Sequence, residues 1–214
     1  EAKLPCHGLD AGARLAKAVE ILKTAGYVWE VEPTQGVEGI GLKMPNGETF
    51  PALQLLAPNT DYDPLRVAAS VYVEEGARSL GIPLTSELLA YDDLFYAVYG
   101  VRNYDMAILG WSLNLYPDYL CAFFDQASGN ASNYFNATLE TKCDAFLNEP
   151  DIVYAREQAF ELQFFLNEEL PAMPLFSSIV TEAHRNLEFP YAAILDGFGP
   201  GLYGAPSLVT PIEK

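Results

Sequence analysis

The chain has 214 residues, half of them hydrophobic and 19% charged, which is ordinary for a globular protein with a buried core. Its 29 acidic and 12 basic residues give a formal net charge of −17, and this charge would repel nucleic acid and an anionic membrane surface. The composition therefore excludes nucleic acid as the expected partner. Such an excess of acidic residues is typical of secreted and periplasmic proteins, in which the negative charge maintains solubility.

The first elements are a helix and a hairpin. Asp10 is suited to cap the helix and Gly26 to end it in a left-handed turn. Residues 36–56 are predicted to form a hairpin with its turn at 45–47 and a strand at 49–56.

Helices and strands alternate in the middle of the chain. A second helix is predicted between the cap Asp63 and Gly81, with a core-facing side formed by Leu65, Ala68, Ala69 and Tyr72. A strand (82–88), an aromatic helix (92–99) and an apolar strand of the kind buried on both faces (104–110) follow. This order predicts an α/β fold with a mixed, largely parallel sheet flanked by helices.

The second half is predicted to be more helical. Its predicted helices lie at 116–125, 139–147 and 152–169, and one more strand lies at 175–181. The last residues, 182–214, are rich in Gly and Pro and show little regular structure. We therefore expect a folded lobe at 1–181 and a return segment at 182–214 that lies on another surface.

The three cysteines have no metal-ligand spacing and allow at most one internal disulfide. Cys121 and Cys143 flank one short segment and are the first pair to test. The two histidines, His7 and His184, lie far apart, and the sequence has no nucleophile elbow, HExxH motif or phosphate-binding loop. We expect no catalytic residues, no metal and no cofactor.

Aromatic residues concentrate between residues 91 and 135, which hold 12 of the 27 in the chain. Segment 110–118 follows the predicted buried strand, and in open α/β sheets ligands bind beyond the carboxyl ends of the strands. A Trp followed by hydrogen-bonding side chains suits a small polar ligand, although the same pattern is equally typical of a core. The candidate ligand-binding residues are Trp111, Ser112, Asn114, Tyr116 and Asp118.

Six short motifs in a fixed order carry a resemblance to a known family. They are residues 22–27 (LKTAGY), Asn46-Gly47 before 53–56 (LQLL), 80–82 (LGI), 104–112 (YDMAILGWS), 133–136 (NYFN) and 169–176 (ELPAMPLF). In these motifs the chain resembles the bacterial extracellular solute-binding proteins of the oligopeptide, dipeptide and nickel type (family 5), which supply ABC importers. The motif at 104–112 is the most specific of the six.

The resemblance implies a C-terminal ligand-binding lobe with a periplasmic-binding-protein-like fold. It also implies a partner lobe outside this sequence, toward which residues 182–214 return. The expected function is that of a monomeric, non-enzymatic substrate-binding component. It would capture an oligopeptide or similar small polar solute between two lobes and deliver it to the transmembrane subunits of an ABC permease. The expected location is periplasmic or extracellular, with the full-length protein tethered to the membrane as a lipoprotein.

The resemblance carries over to the candidate site only in part. In the peptide-binding members a Trp at the position of Trp111 lines the cleft, and an Asp three residues later pairs with the α-amino group of the peptide. Here that position holds Asn114, which accepts a hydrogen bond but brings no charge. Asp118 is a candidate replacement, and a neutral oligosaccharide is an alternative ligand because aromatic side chains suit sugar rings.

Two other classes of function stay open. One is a carboxylate-dependent hydrolase with a cleft near Asp118 and Asp125, which would need carboxyl groups converging across that cleft. The other is a non-transport cell-surface module whose aromatic segment binds another protein.

Overall fold

The computed structural model describes residues 8–113, 116–124, 129–177, 187–188 and 210–211. The chain divides into two compact units, Glu1–Met173 and Pro174–Lys214. The boundary predicted near residue 181 stays a prediction. The elements described in the first unit are α1 (Ala11–Thr24), β1 (Leu53–Pro58), α2 (Pro64–Ser79), β2 (Leu84–Leu89), α3 (Tyr91–Phe95) with a π-helical turn (Tyr96–Val101), β3 (Met106–Ala107), α4 (Tyr119–Ala122), α5 (Ala137–Leu147) and α6 (Ile152–Glu169). In the second unit β4 (Leu187–Glu188) pairs antiparallel with β5 (Thr210–Pro211).

The first helix begins and ends where its capping residues predict. Asp10 Oδ1 accepts the backbone N–H of Ala13 at 2.7 Å, and Gly26 follows the helix with a φ of 90°. Such a positive φ is accessible to glycine at little cost, which is why the chain can turn there.

The predicted hairpin is only partly right. Antiparallel bridges do form in this region, joining Val28 to Lys43, Val31 to Ile40, Thr34 to Val37, and Lys43 to Thr49. Its predicted last strand, 49–56, instead enters the central sheet as β1 at Leu53, where all its pairing is parallel. The local turn signal at 45–47 could not reveal this change of partner, because strand pairing is a tertiary property.

The central sheet has the order β2-β1-β3, and both pairs are parallel. Leu53 lies opposite Leu84, and Leu55 lies opposite Met106. The strands are joined through α2 and α3, so the predicted α/β fold class is confirmed. The predicted burial of 104–110 on both faces is wrong in part, because β3 is an edge strand of the described sheet and Met106 is exposed.

One face of the sheet packs against α2. The buried sheet residues on this face are Leu55, Ala57, Leu84 and Ile108, and the helix contributes Ala69, Val73 and Ala77. The predicted core side of α2 was wrong for Leu65, Ala68 and Tyr72, which are exposed. Small alanine side chains on either side of Val73 let this helix lie close to the sheet, and Leu65 and Tyr72 face away from it.

The opposite face of the sheet packs against α3 and the π-helical turn. Leu56 forms a buried cluster there with Leu94 and Val98. The crossover segment between β2 and β3 therefore buries one side in the core. Tyr99 and Tyr104 pack partly buried against this cluster, whereas Tyr91, Phe95 and Tyr96 are exposed.

A separate core holds α4, α5 and α6 together. Its buried residues are Cys121, Leu139, Phe146, Ala155, Ala159 and Leu162. A disulfide joins Cys121 to Cys143 within this core, with the two Cα atoms 5.6 Å apart. This is the pair that the sequence placed first.

The helix boundaries in the second half follow their capping residues. Asp151 Oδ1 accepts the N–H of Val153, so α6 starts where predicted, whereas α5 starts two residues earlier than predicted because Asn136 caps it. α4 is shorter than the predicted helix at 116–125, of which residue 125 lies outside the described part. Residues 175–177 have no regular structure, and 178–181 lie outside the described part.

No helix within the described residues is long and apolar enough to cross a membrane.

Candidate ligand-binding site

Trp111 lies just beyond the third strand of the parallel sheet, where ligands bind in open α/β folds. About half of the side chain is exposed, at 47%, and its ring centroid lies 4.7 Å from that of Phe123. The indole is therefore neither a core residue nor an isolated surface residue. It is held on one side and open on the other.

The other predicted site residues are distributed along the same segment. Ser112 is exposed, and the Tyr116 ring stacks on Phe146 of α5 at a centroid distance of 5.3 Å. Asp118 immediately precedes α4, and its carbonyl accepts the backbone N–H of Cys121 at 3.0 Å. Asn114 lies outside the described residues. The structure thus gives Trp111 and Tyr116 different aromatic partners, and the ligand-binding role of all five residues stays a prediction.

Aromatic rings from three strand ends and two helices form a continuous series that we call the aromatic row. Its members are Tyr62, Tyr91, Phe95, Tyr99, Trp111, Phe123 and Tyr119. Along the first half of the row the centroid distances are 4.7 Å for Tyr62–Tyr91, 6.3 Å for Tyr91–Phe95 and 4.7 Å for Phe95–Tyr99. These separations are those of aromatic side chains in direct contact.

The topology of the sheet assembles the row. Tyr62 follows β1, Tyr91 follows β2 and Trp111 follows β3, so parallel strands bring the three to the same edge of the sheet. Tyr91, Phe95 and Tyr99 recur every four residues along α3 and the π-helical turn, which places them on one side of that segment. This four-residue spacing is visible in the sequence, but it does not show that Tyr62 joins the row.

Tyr99 connects the two halves of the row. Burial raises the pKa of its hydroxyl, whereas a hydrogen bond from Trp111 and the positive charge of Arg102 act in the opposite direction. The Tyr99 phenol therefore stays protonated at neutral pH and can hold the indole in place.

Two bonds fix the backbone that carries Tyr99. Arg102 and Asn133 both adopt left-handed conformations, with φ of 56° and 53°, and the Arg102 guanidinium donates to Asn133 Oδ1 at 2.7 Å. The Tyr104 hydroxyl donates to the carbonyl of Ala131. Non-glycine residues with positive φ persist where surrounding contacts over-determine them, and they are common at ligand sites. The π-helical turn is therefore fastened to the loop before α5.

A shallow concavity lies at the opposite end of the strands, and three of its polar side chains already bond to one another or to the backbone. Asp105 Oδ2 accepts the backbone N–H of Gln54 at 2.8 Å, and the Gln54 amide donates to Glu87. Because Asp105, Gln54 and Glu87 already form these bonds, they are less available for hydrogen bonds to a ligand. The aromatic row is the better candidate site.

The described residues contain no group of three or more His, Cys, Asp or Glu side chains that could hold a metal ion.

Comparison with protein-family models and with curated proteins gives no match. Solved structures do match. The periplasmic oligopeptide-binding protein of an oligopeptide ABC transporter from Thermotoga maritima, bound to mannohexaose, matches with a TM-score of 0.58 and 22% identity over 73% of this chain and 29% of that chain. The oligopeptide-binding protein AppA from Bacillus subtilis, in complex with a nonapeptide, gives a TM-score of 0.62 and 19% identity over 80% of this chain and 32% of that chain. NikZ from Campylobacter jejuni, in complex with Ni(L-His), gives a TM-score of 0.56 and 17% identity, over 73% of this chain and 30% of that chain.

These similarities define the class of fold. The chain has the α/β fold of a periplasmic-binding-protein-like lobe, and the solved structures that share it are solute-binding proteins of the family that the sequence motifs resemble. At these identities the similarity is one of fold. The chain spans about a third or less of the length of these three structures, between 29% and 32%.

Proposed function

We propose that this chain is the C-terminal lobe of the substrate-binding component of an ABC importer. It would capture an oligopeptide or similar small polar solute against a second lobe and deliver it to the permease. One observation carries the proposal, namely that the aromatic row and Trp111 lie at the carboxyl edge of the sheet on a fold shared with periplasmic binding proteins. Open aromatic side chains at that edge suit ligand contact more than core packing.

The ligands named for the matched proteins are chemically diverse, being mannohexaose, a nonapeptide and Ni(L-His). The shared fold therefore does not specify the ligand, and the side chains at the edge must do so. In this chain we assign that role to Trp111, Ser112, Asn114, Tyr116 and Asp118, together with the aromatic row. Asn114 brings no charge for a free peptide amino group, so a neutral ligand fits as well as a peptide.

The proposed mechanism is closure of two lobes around the solute, without turnover. Ligand contacts made by both lobes would favour the closed state, and the isolated lobe would bind weakly because half of the cleft is absent. A monomer is sufficient for this mechanism.

We also propose a periplasmic or extracellular location, with the complete protein tethered to the membrane. The Cys121–Cys143 disulfide supports an oxidising compartment, since structural disulfides are rare in the reducing cytosol. The net charge of −17 is compatible with such an environment.

The first prediction concerns the complete natural protein that carries this chain. A panel of oligopeptides, neutral oligosaccharides and metal–amino-acid complexes should contain at least one member that raises its Tm by about 5 °C or more at a concentration near 100 times Kd. The same member should change Trp fluorescence and should be recovered chemically unaltered. If no member of a broad panel moves the Tm, the proposal fails. Consumption of the ligand would favour a hydrolase instead.

A further inference from the structure

We propose that Arg66 binds an anionic oxygen group of the solute, a carboxylate or a phosphate, and so determines the charge of the ligand that this site accepts. The inference rests on the proposed solute-binding function and names its class of ligand. It is carried by the position of Arg66 in the sheet topology, by the room that Gly110 leaves for its guanidinium, and by the contacts that orient this group.

Arg66 lies at the point where the winding of the sheet reverses. In the order β2-β1-β3 the chain passes from β1 to β2 on one side and returns to β3 on the other, so the reversal falls between β1 and β3. Ligands of open α/β sheets bind in the crevice at such a point, beyond the carboxyl ends of the strands. Arg66, in the first turn of α2 after β1, and Gly110, just after β3, are in contact there.

Gly110 provides the space that the guanidinium occupies. A Cβ atom at position 110 would overlap with Nη2 and Cζ of Arg66 and would lie 2.7 Å from its Nε. The φ of Gly110 is not positive, so the backbone conformation alone does not require glycine here. The absence of a side chain therefore lets the guanidinium reach the backbone that immediately precedes Trp111.

Two side chains that follow β1 orient the guanidinium. Asp63 Oδ2 lies 3.1 Å from Arg66 Nε, while Asp63 Oδ1 accepts the backbone N–H groups of Leu65 and Arg66, at 3.0 Å each. The carboxylate is thus itself held by the start of α2. The Tyr62 ring centroid lies 5.9 Å from Arg66 Cζ, within the range of a cation–π contact. These contacts order the arginine in advance, so that less conformational entropy is lost when a ligand binds.

The guanidinium retains hydrogen-bond donors for a ligand. An arginine carries N–H groups on Nε and on both Nη atoms, and its closest contact with Asp63 uses Nε. The side chain is 23% exposed, so it is largely buried but still accessible from the crevice. Planar N–H donors of this kind match the paired oxygens of a carboxylate or a phosphate. Arg66 can therefore donate to such a group beside the exposed face of Trp111.

The net charge of −17 does not prevent this contact. At physiological ionic strength the field of exposed charges is largely screened beyond about 8 Å, whereas a partly buried pair is screened much less. The acidic surface slows the approach of an anion, but the short-range contact with the guanidinium decides whether the anion is held.

The test compares probes that differ in charge, using the complete natural protein. The pairs are alanine tri- and pentapeptides with a free carboxyl end against their C-terminal amides, trigalacturonate against its methyl ester, and glucose 6-phosphate against glucose. Isothermal titration calorimetry should show at least one anionic member binding about tenfold or more tightly than its neutral counterpart. The pair that shows this preference distinguishes a carboxylate on a peptide or a sugar from a phosphate.

The remaining outcomes separate this inference from the proposed function. Equal or tighter binding of the neutral members would overturn the role of Arg66 and leave the solute-binding proposal intact. Binding of no member of any pair would also overturn it. Only a blank across the broader panel of peptides, oligosaccharides and metal complexes would remove the solute-binding proposal as well.

Variants assign the preference to Arg66. Arg66→Met should lower the affinity for the anionic member to that for its neutral counterpart. Gly110→Ala should reduce the preference in the same direction, because the new Cβ displaces the guanidinium without removing it. Arg78→Met is the matched control, since Arg78 lies near the other end of α2 and also pairs with a carboxylate, that of Glu74.

The quantity compared is the ratio of the two affinities measured on the same variant, which a general loss of stability does not change. If Arg66→Met does not fold, Arg66→Lys keeps the charge without the planar donors and should still reduce the ratio severalfold. A ratio that the folded Arg66 variant leaves unchanged would overturn the assignment.

Discussion

Glu74 fastens α2 to the edge of the sheet through a single carboxylate. Its Oε2 accepts the backbone N–H of Ser86 in β2 at 3.0 Å, and Arg78 lies 3.5 Å from its other oxygen. β2 is an edge strand of the described sheet, and the outward N–H groups of such a strand can otherwise pair with another chain. Glu74 therefore occupies part of an edge that would be open to aggregation.

This contact makes the free energy of unfolding depend on pH in the acidic range. Hydrogen bonding from Ser86 lowers the pKa of Glu74, burial acts against it, and Arg78 lowers it further. A carboxyl whose pKa is lower in the folded state stabilises the fold above its unfolded pKa, and that stabilisation is lost as the pH falls through the folded pKa. Glu74→Gln should therefore reduce the free energy of unfolding by about 1 kcal/mol near pH 7 and by clearly less near pH 3.

Urea denaturation at the two pH values measures this effect. Glu75→Gln is the matched control, since Glu75 is an exposed neighbour on the same helix. Equal losses at both pH values in the Glu74 variant would show that the carboxylate charge is not responsible.

Asn130 and Asn136 each have a structural task, although both begin formal glycosylation sequons. Asn130 is buried and donates to the carbonyl of Tyr134 at 2.8 Å, while Asn136 Oδ1 accepts the N–H of Thr138 at 2.9 Å as the cap of α5. Their amide groups are thus engaged in holding the loop before α5. These hydrogen bonds give both residues a structural role that does not depend on glycosylation.

At the scale of elements, the disulfide is the strongest constraint on the small helical core. It joins α4, which has only four residues, to α5 across a sequence separation of 22 residues. A helix of this length is not stable alone and depends on tertiary contacts. The covalent link and the buried cluster around Cys121 supply those contacts.

Reduction of this disulfide should lower the free energy of unfolding by about 3 kcal/mol, because the unfolded chain regains the entropy of an open loop. Guanidinium denaturation with and without a reducing agent measures the difference. A Cys121→Ala/Cys143→Ala double variant should be insensitive to the reducing agent, whereas Cys6→Ala should behave as the parent does. An unchanged denaturation midpoint after complete reduction would contradict the prediction.

At the scale of the whole molecule, three tyrosines in different parts of the fold have a raised pKa. Burial raises the pKa of Tyr99 and Tyr104, and desolvation followed by a hydrogen bond to Glu169 raises that of Tyr134. The Tyr134 hydroxyl donates to Glu169 Oε2 at 2.8 Å, which links the loop before α5 to the end of α6. Ionisation of any of the three adds negative charge to a molecule that already carries −17.

The fold should therefore lose stability above about pH 10, the ordinary range of the tyrosine pKa. A group whose pKa is raised in the folded state contributes stability below its unfolded pKa, and this contribution is lost as the pH rises through the folded pKa. Tyr134→Phe should make the decline less steep, because this side chain can no longer ionise. Tm measurements from pH 8 to 11 would test this, with Tyr72→Phe, an exposed tyrosine outside the three, as the control. A Tm that is flat across this range would contradict the prediction.

Features that depend on neighbouring residues could be predicted from the sequence. The predicted caps Asp10 and Asp63 mark the starts of α1 and α2, because a side-chain oxygen satisfies N–H groups only two or three residues away. The alternation of strands and helices likewise implied a parallel sheet, since parallel strands require crossover helices. Both the fold class and the edge at which Trp111 lies follow from these local signals.

Contacts between residues far apart in the sequence could not be predicted, because they depend on the folded arrangement of the elements. In the fold, β1 pairs within the sheet and not within the hairpin. Leu65 and Tyr72 of α2 are exposed, and the Tyr62 ring contacts that of Tyr91. Strand partners and the buried side of a helix depend on what packs there, and periodicity does not encode that. For the same reason the sequence indicated an aromatic segment around Trp111, but only the folded sheet joined that segment to the rings beyond β1 and β2 in one row.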